Sequence, residues 1–292
     1  MSSIALRTPS ALTLLKLGRV SNLPTVWTNV LAGAIIANPA ATAADLLVIG
    51  LSMTAFYVGG MYLNDFFDRE IDARERPGRP IHAGEIGANT VSTIGFILLA
   101  IGIVLLIPFG TLPVVLGLAL AGAILLYDGW HKGNTIAPVI MGLCRALVYV
   151  GTGAAVSGDI RLPLVAGAVA LTAHVVGLTY AAKQENLNEV GHLWPLGILS
   201  VPLLMALPGL SSGWLVVVSA LLLGIADVFA VRLLAKRAKP GAVPRAVSTL
   251  IAAICLVDAL AVALYGGSVA LAALCACGFV LTRLFQTFIP GT

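Results

Sequence analysis

Ten long apolar stretches, separated by short turns, constrain the fold of this chain more than any other feature of its sequence. Apolar residues make up 59% of the chain and charged residues 10%, and the mean hydropathy is +1.01. Because a membrane-crossing helix needs about 20 mostly apolar residues, this composition indicates a polytopic membrane protein rather than a soluble domain. The sequence predicts an all-α, transmembrane helical bundle of nine to ten spans around a central cavity, with residues 1–292 as a single domain. The segments are 20–38, 45–64, 91–108, 111–127, 135–156, 162–182, 193–208, 213–234, 245–265 and 268–287.

Basic residues are concentrated in every second connection between these segments. The connections after segments two, four, six and eight carry Arg69, Arg74, Arg76, Arg79, Lys132, Lys183, Arg232, Lys236, Arg237, Lys239 and Arg245. The opposite connections carry only Arg161. Because cytoplasmic loops are enriched in Lys and Arg, we expect a cytoplasmic N-terminus and a cavity that opens to the cytoplasm. Arg283 favours a cytoplasmic C-terminus and so an even number of spans. The net charge of +4 reflects this placement and does not indicate nucleic-acid binding.

An acidic and basic stretch, residues 61–82, follows the second apolar segment. If the preceding helix continues through it, Asp65, Asp68 and Asp72 are spaced i, i+3, i+7 and fall on one narrow face. Asn64 flanks the same face. Carboxylates on one face repel one another unless a cation lies between them, and oxygen ligands of this kind suit Mg²⁺. The stretch therefore predicts a magnesium site; the alternative is a solvated, salt-bridged loop.

A second acidic group follows segment six, on the same predicted side of the membrane. Glu185 and Glu189 are spaced i, i+4 and share one helix face, with Lys183 and Asn188 beside them. By itself this pattern favours an ordinary polar helix end. Together with the first group it predicts two carboxylate clusters that converge on one cavity.

The first acidic group also carries a family resemblance. The motif Asn64-Asp65-x-x-Asp68-x-x-x-Asp72, followed by Arg76-Pro77 and Arg79-Pro80, resembles the first aspartate motif of UbiA-type intramembrane prenyltransferases, N-D-x-x-D-x-x-x-D followed by R-P. The second motif of that family is D-x-x-x-D, whereas this chain has Glu185-x-x-x-Glu189, in which each ligand is one methylene longer. The ligands of a second metal ion therefore stay open. The stretch 18–33 is similar to the branch called EboC-like.

The resemblance implies a reaction and a set of partners. We expect Mg²⁺-dependent transfer of a prenyl group from a polyprenyl diphosphate to an aromatic, quinone-precursor or other small acceptor within the membrane, with release of diphosphate. It implies two magnesium ions bridged by the diphosphate, one held by Asp65, Asp68 and Asp72 and the other by Glu185 and Glu189. Membrane lipid surrounds the prenyl chain, and the sequence indicates no oligomeric state.

Basic and polar residues near the two motifs complete the expected site. Tyr127 to Lys132 is similar to the family element Y-x-x-x-K, whose lysine helps to hold diphosphate; here His131 occupies the fifth position and Lys132 follows it. We assign that role to Lys132, with His131 as the alternative and with Arg79 as a further catalytic cation. The expected diphosphate- or substrate-binding residues are Asn64, Lys183, Asn188, Tyr149, His131 and Asn22. Asn22 is assigned to the acceptor pocket because the family's first helix contributes to it.

Several polar residues lie deep in the apolar segments. Arg145 lies well inside segment five, with Tyr149 one turn further along. A charge at that depth is costly, so we expect it to face a cavity and a partner, either a diphosphate or an acid; a structural buried pair is the alternative. Asn29 and His174 are expected to form interhelical hydrogen bonds. Asp227 and Asp258 are expected to pair helices.

Two other classes of protein also use intramembrane acids. Membrane CDP-alcohol phosphotransferases have the pattern D-x-x-D-G-x-x-A-R with a second aspartate pair close behind, but here Arg69 follows Asp68 and no such pair follows. An ion-coupled membrane transporter would place its acids near the midplane on broken helices. The acids of this chain lie at helix ends among arginines, which favours an anionic substrate.

Overall fold

The computed structural model describes residues 9–38, 40–183, 192–235 and 241–291, and these residues are helical, with short turns between the helices. The α-helices are α1 Ala11–Leu17, α2 Leu23–Ala37, α3 Ala43–Phe67, α4 Arg69–Glu75, α5 Ala88–Leu106, α6 Thr111–Trp130, α7 Ala137–Ser157, α8 Leu162–Lys183, α9 Val201–Ala206, α10 Trp214–Ala235, α11 Ala242–Leu264 and α12 Val269–Phe285. Short 3₁₀ turns cover Val20–Asn22, Ile107–Phe109, Trp194–Ser200 and Leu207–Ser212. The prediction of an all-α polytopic bundle is confirmed.

Nine helical stretches of the described residues are long and apolar enough to cross a bilayer, and they coincide with the first nine predicted segments. The seventh, Trp194–Ser212, is not a regular helix, because α9 is flanked on each side by a 3₁₀ turn. Pro195, Pro202 and Pro208 stand at the starts of these three pieces. Each proline lacks a backbone N–H and clashes with the preceding turn, so the α-helical hydrogen-bond pattern is interrupted at each one.

The tenth predicted segment is α12, which is shorter than the others. Its 17 residues rise about 26 Å, slightly less than a hydrocarbon core about 30 Å thick. Gln286 and Gly291, which follow α12, both hydrogen-bond the side chain of Asn22, which directly precedes α2. The chain therefore returns to the end of the bundle at which α2 begins, as an even number of passes requires.

The helices pack so that α11 lies at the centre of the bundle and α5 is one of the helices at its edge. The apolar window of α11 is 78% buried and that of α5 only 28% buried. At the edge, α3 and α5 approach so closely that a Cβ added at Gly59 would lie 2.9 Å from the carbonyl oxygen of Gly95. Ser52 Oγ donates to the carbonyl oxygen of Gly102 across the same contact at 2.7 Å. Small residues at a helix contact permit this close packing in membranes, and the packing fixes the height of α3, which carries the first acidic motif.

Candidate active site

The three aspartates of the first motif are all buried, although α3 does not continue through the stretch. α3 ends at Phe67, Asp68 caps it, and α4 begins at Arg69. Asp68 keeps near-helical dihedrals of φ −79° and ψ −5°, so the chain turns little at the break. Asp65, Asp68 and Asp72 are 4%, 8% and 5% exposed. Carboxylates this deeply buried need cationic or hydrogen-bonding partners, and the structure supplies them from three other segments of the chain.

Two arginines bind the same oxygen of Asp65. Arg79 lies 2.7 Å and Arg19 3.1 Å from Asp65 Oδ1. Arg79 was predicted as a site residue, whereas the sequence analysis assigned no site role to Arg19. Arg19 has φ 41°, the only positive φ among the described non-glycine residues, and Tyr57 donates to its carbonyl oxygen at 3.2 Å. This left-handed residue turns the chain just before α2 and brings the guanidinium to the acids.

Asp68 contacts both Lys132 and His131, the two residues considered for the role of the diphosphate-binding lysine in the family motif. His131 Nε2 lies 3.4 Å and Lys132 Nζ 3.5 Å from Asp68 Oδ2. Burial acts to raise the pKa of Asp68, but His131 and then Lys132 outweigh burial and hold that pKa below its usual value. At Asp72 burial prevails and raises the pKa, although Arg79 Nε lies 4.0 Å away.

Asp128 is a fourth carboxylate of the site, and the sequence analysis did not assign it. Asn64 donates its amide to Asp128 Oδ1 at 3.2 Å and accepts from Arg19 at 3.1 Å. Asp128 is 5% exposed, and its Oδ2 has no hydrogen-bond partner among the described residues. The available signal was an acid in the last turn of an apolar segment, between Tyr127 and His131.

The donor set suits magnesium, but the described carboxylates do not form a closed metal site. Asp65, Asp68, Asp72 and Asp128 offer hard oxygen ligands, and Asp128 Oδ2 is a buried oxygen without a partner. No three His, Cys, Asp or Glu side chains in the described part of the chain converge closely enough to hold a metal ion. Glu185, Asn188 and Glu189, predicted for the second site, lie outside the described residues.

Two further predicted residues have partners other than the acids. Lys183 donates to the backbone carbonyl oxygen of Asn134, in the connection between α6 and α7. Asn22 donates to the carbonyl oxygen of Gly291 at 3.0 Å and accepts from Gln286 at 3.1 Å. Asn22 is 4% exposed and its amide is engaged by the C-terminal segment, so its assignment to an acceptor pocket stays a prediction.

Arg145 and Tyr149 belong to a deeper network that does not include the acids of the first motif. Arg145 donates to Asn29 Oδ1 at 2.8 Å and to Thr25 Oγ1 at 3.1 Å. Asn29 donates to both carboxylate oxygens of Asp258, at 2.9 and 2.8 Å, and Tyr149 donates to Asp258 as well. The expected hydrogen bond of Asn29 between helices is therefore present, and Asp258 joins α11 to α2 and α7.

His174 also bonds between helices, as expected, at a position outside the acidic site. Its Nε2 lies 3.0 Å from the carbonyl oxygen of Leu250, and its Nδ1 lies 3.8 Å from Asp227 Oδ1. His174 is fully buried and Asp227 is 6% exposed. The pair joins α8 to α10 and α11.

A cavity of about 80 Å³ connects the acidic site with the deeper network. Asp128 and Tyr127 line its outer part, and Tyr57 and Arg145 line it further into the membrane. The rest of its wall is apolar and comes from α2, α3, α6 and α7. A molecule that fills this cavity contacts the carboxylate of Asp128 and the guanidinium of Arg145.

A protein-family model described as the UbiA prenyltransferase family matches residues 25–246. A digeranylgeranylglyceryl phosphate synthase from Sulfolobus acidocaldarius is 34% identical over 110 residues, which are 36% of this chain and 38% of that protein. A protoheme IX farnesyltransferase from Macrococcus caseolyticus is 26% identical over 101 residues, 34% of this chain and 33% of that protein. The matches thus span well under half the length of these curated relatives.

Solved structures share the fold over most of the chain. A UbiA homolog from Aeropyrum pernix K1 is similar with a TM-score of 0.67 and 17% identity, covering 82% of this chain and 95% of that one. A UbiA homolog from Archaeoglobus fulgidus bound to GPP and Mg²⁺ is similar with a TM-score of 0.55 and 13% identity, covering 87% and 99%.

Proposed function

Because the chain belongs to the UbiA prenyltransferase family, we propose that it transfers a prenyl group from an allylic diphosphate to a small acceptor inside the membrane. In this reaction the bond between the allylic carbon and the diphosphate oxygen breaks, and a bond from that carbon to the acceptor forms. The acceptor loses a proton and diphosphate is released. The whole chain acts as one membrane-embedded domain, with its site on the cytoplasmic side.

The observation that carries the proposal is the pairing of buried acids with basic side chains at one end of the bundle. Asp65 is held by Arg19 and Arg79, and Asp68 by His131 and Lys132. Acids and basic side chains paired in this way can bind a divalent cation and an anion together. The divalent cation would replace the basic side chains as partner of the acids, and the anion would replace the acids as partner of the basic side chains. A metal diphosphate has this combination of charges.

Magnesium fits the oxygen donors of this site, and it normally binds through one or two carboxylates plus substrate phosphates. We propose one ion on Asp65, Asp68 and Asp72 and a second on Glu185 and Glu189, with Asn188 beside it. When bound, magnesium supplies Lewis-acid stabilisation of the diphosphate as it departs. The absence of a closed three-carboxylate cluster among the described residues is consistent with ligands completed by the substrate.

The cations of the chain bind the leaving group. Lys132 and His131 point at Asp68 from the end of α6, and Arg79 approaches from the connection after α4. These donors would bind the diphosphate oxygens, where negative charge increases as the carbon–oxygen bond breaks. Lys183, at the end of α8, is a further cation at the proposed entrance to the site.

The apolar surfaces next to the site hold the prenyl chain and exclude water from the allylic cation. An apolar groove of about 730 Å³ runs between α2 and α12, from Val20 to Leu46. It begins beside Arg19, which contacts Asp65. We propose that the prenyl chain lies along such lipid-facing surfaces.

The family leaves the acceptor class broad. Curated relatives are named digeranylgeranylglyceryl phosphate synthase and protoheme IX farnesyltransferase, so acceptors of very different chemistry occur among related proteins. The EboC-like resemblance of residues 18–33 stays a prediction. We propose an aromatic, quinone-precursor or other small acceptor that enters the cavity beside Asp128.

A turnover assay tests the proposal. Purified protein in lipid nanodiscs, given Mg²⁺, labelled geranyl diphosphate and a panel of acceptors, should release diphosphate and form a prenylated product. EDTA should stop the reaction, and Asp68→Asn should abolish it. Asp159→Asn is the matched control, because Asp159 is exposed and pairs with Arg161 at the opposite end of the bundle. Ion flux in proteoliposomes without any diphosphate would instead favour the transporter alternative.

A further inference from the structure

We propose that Arg145 binds an anionic group of the acceptor, a carboxylate or a phosphate, deep in the cavity and apart from the donor's diphosphate. The inference rests on the proposed prenyl transfer and adds the chemical class of the acceptor to it. It also replaces the expectation that Arg145 binds the diphosphate.

The first step is the unused hydrogen-bonding capacity of Arg145. Its guanidinium donates to Asn29 and Thr25 and lies 5.7 Å from the centre of the Tyr57 ring. No carboxylate of the described residues forms an ion pair with it. A guanidinium has five N–H donors, so most of its donors stay available toward the cavity. A cation inside a membrane span without a direct ion pair indicates a ligand of opposite charge.

The second step is that the network beneath Arg145 fixes its position. Asp258 is fully buried on α11, and both of its carboxylate oxygens accept from the amide nitrogen of Asn29. The amide oxygen of Asn29 therefore faces the other way and accepts from Arg145. Tyr149 holds Asp258 from the α7 side. The guanidinium is thus preorganised. Its planar group can donate two parallel N–H bonds, which suit two oxygens of a carboxylate or a phosphate.

The third step is that Arg145 lies beside an earlier turn of α3 than the acids. Arg145 lies 5.7 Å from the centre of the Tyr57 ring, and Tyr57 precedes Asp65 by eight residues of α3, a rise of about 12 Å between their backbones. This rise is longer than the separation of the two phosphoryl groups of one diphosphate. If the diphosphate binds beside Asp65 and Asp68, Arg145 is available for a different anion.

The fourth step is that the cavity joins the two positions. Arg145 and Asp128 line the same space of about 80 Å³, which admits a headgroup rather than a whole lipid. An acceptor whose anion binds Arg145 extends toward Asp128 and the acids. Its nucleophilic atom then lies on the side of the cavity where the allylic carbon of the donor is expected. Both an aromatic hydroxycarboxylate and a glyceryl ether phosphate have this arrangement.

The test compares acceptors with and without the anion, in binding measurements that need no turnover. Calorimetry is done on protein in nanodiscs of uncharged lipid, loaded with Mg²⁺ and an unreactive thiodiphosphate analogue of geranyl diphosphate. One pair is 4-hydroxybenzoate and 4-hydroxybenzamide; the other is a glyceryl ether phosphate and the same ether without phosphate. We expect wild type to bind the anionic member of one pair about 10- to 100-fold more tightly, and the preferred pair identifies the anion.

Variants assign the preference to Arg145. Arg145→Gln should remove the preference while leaving binding of the donor analogue within about twofold of wild type, and Arg145→Lys should keep part of it. Where Arg145→Gln does not fold, the reduced preference of Arg145→Lys decides. His174→Gln, a buried polar substitution outside the cavity, should leave the preference unchanged.

Three results would overturn the inference. The first is equal binding of both members of each pair by wild type, including no measurable binding of either. The second is a preference that survives in both Arg145 variants. The third is a loss of donor-analogue binding in Arg145→Gln that matches the loss of acceptor binding, because the arginine would then contact the diphosphate. Failure of the prenyl transfer itself is seen separately, as no magnesium-dependent release of diphosphate.

Discussion

The amide nitrogen of Asn64 lies 3.2 Å from Asp128 Oδ1, and this bond joins the first aspartate motif on α3 to the end of α6. Asp128 thereby becomes a fourth carboxylate beside Asp65 and Asp68, with one oxygen that has no described partner. The same residue lines the cavity that leads to Arg145. The boundary between the proposed donor and acceptor positions therefore runs through Asp128.

Substituting Asp128 should impair turnover strongly. Asp128→Ala removes a buried carboxylate and leaves the Asn64 amide without its acceptor, so we expect prenyl transfer to fall at least about tenfold. Initial rates with saturating donor measure the effect. Asp45→Ala is the control, because Asp45 lies in the first turn at the other end of α3, where its carboxylate accepts from the N-cap residue Thr42. Turnover equal to wild type in Asp128→Ala would remove Asp128 from the site.

The two arginines on Asp65 should act as a non-additive pair. Arg19→Met leaves Arg79 on the carboxylate and Arg79→Met leaves Arg19, whereas the double variant leaves a buried charge without either partner. Each single substitution should lower the free energy of unfolding modestly, and the double variant should lose more than the sum. Thermal unfolding of the four proteins of this cycle measures the coupling. Additive losses would show that the two contacts are independent.

Magnesium and donor should stabilise the protein together rather than separately. Asp65 and Asp68 already have arginine, lysine and histidine side chains as partners, and no three of the described acids converge on a metal position. We therefore expect Mg²⁺ with the thiodiphosphate analogue to raise Tm by about 5 °C, and either alone to have little effect. EDTA should reverse the shift, and Asp68→Asn should abolish it. A full shift with Mg²⁺ alone would indicate a preformed metal site.

The pH dependence of stability should report the partners of Asp68. Its folded pKa is lowered below 3.8, so its contribution is present above the unfolded pKa and is lost only as pH falls through the folded pKa. In the variant His131→Gln with Lys132→Met, burial acts unopposed and raises that pKa. Because a folded pKa above the unfolded one means that the folded state takes up the proton, acidification should cost the variant less stability than it costs wild type. Tm measured without metal from pH 6 to pH 3 checks this, and an equal loss of Tm in the two proteins would contradict it.

Asn22 can be tested as a structural contact or a substrate contact. Truncation after Phe285 removes Gln286 and Gly291, the two partners of its buried amide, and should cost about 1–3 kcal/mol of stability. Asn22→Leu in the truncated protein should recover part of that loss, because no unsatisfied amide remains. If the truncation instead leaves Tm unchanged and raises the KM for the acceptor, Asn22 contacts substrate.

The sequence predicted the elements of this fold better than the contacts between them. Hydropathy located the spans, because the bilayer imposes a length and a polarity on each helix regardless of its neighbours. The break at Asp68 and the irregular seventh segment depend on local backbone geometry, and only the prolines of the latter signalled it. The residues of the first motif are adjacent in sequence, so their shared face was predictable.

The partners of those residues come from distant parts of the chain. Arg19 reaches Asp65 only because the chain takes a left-handed turn before α2, and Asp128 reaches Asn64 only because α6 packs beside α3. Arg145 was predicted to be functional from its depth, but its height relative to the acids depends on how α7 packs against α2. Contacts of this kind depend on which helices pack against one another, and the spacing of apolar residues along the sequence does not specify that.

The contact between Gly59 and Gly95 has a consequence for the chemistry, although neither residue has a functional group. Gly59 lies six residues before Asp65 on α3, and its neighbour across the contact is a rigid backbone oxygen rather than a movable side chain. One added methyl group at Gly59 would push the two helices apart and displace the aspartates relative to the cations on α6. The relative position of the reacting groups thus depends on a contact between two helix backbones to which neither glycine contributes a side chain.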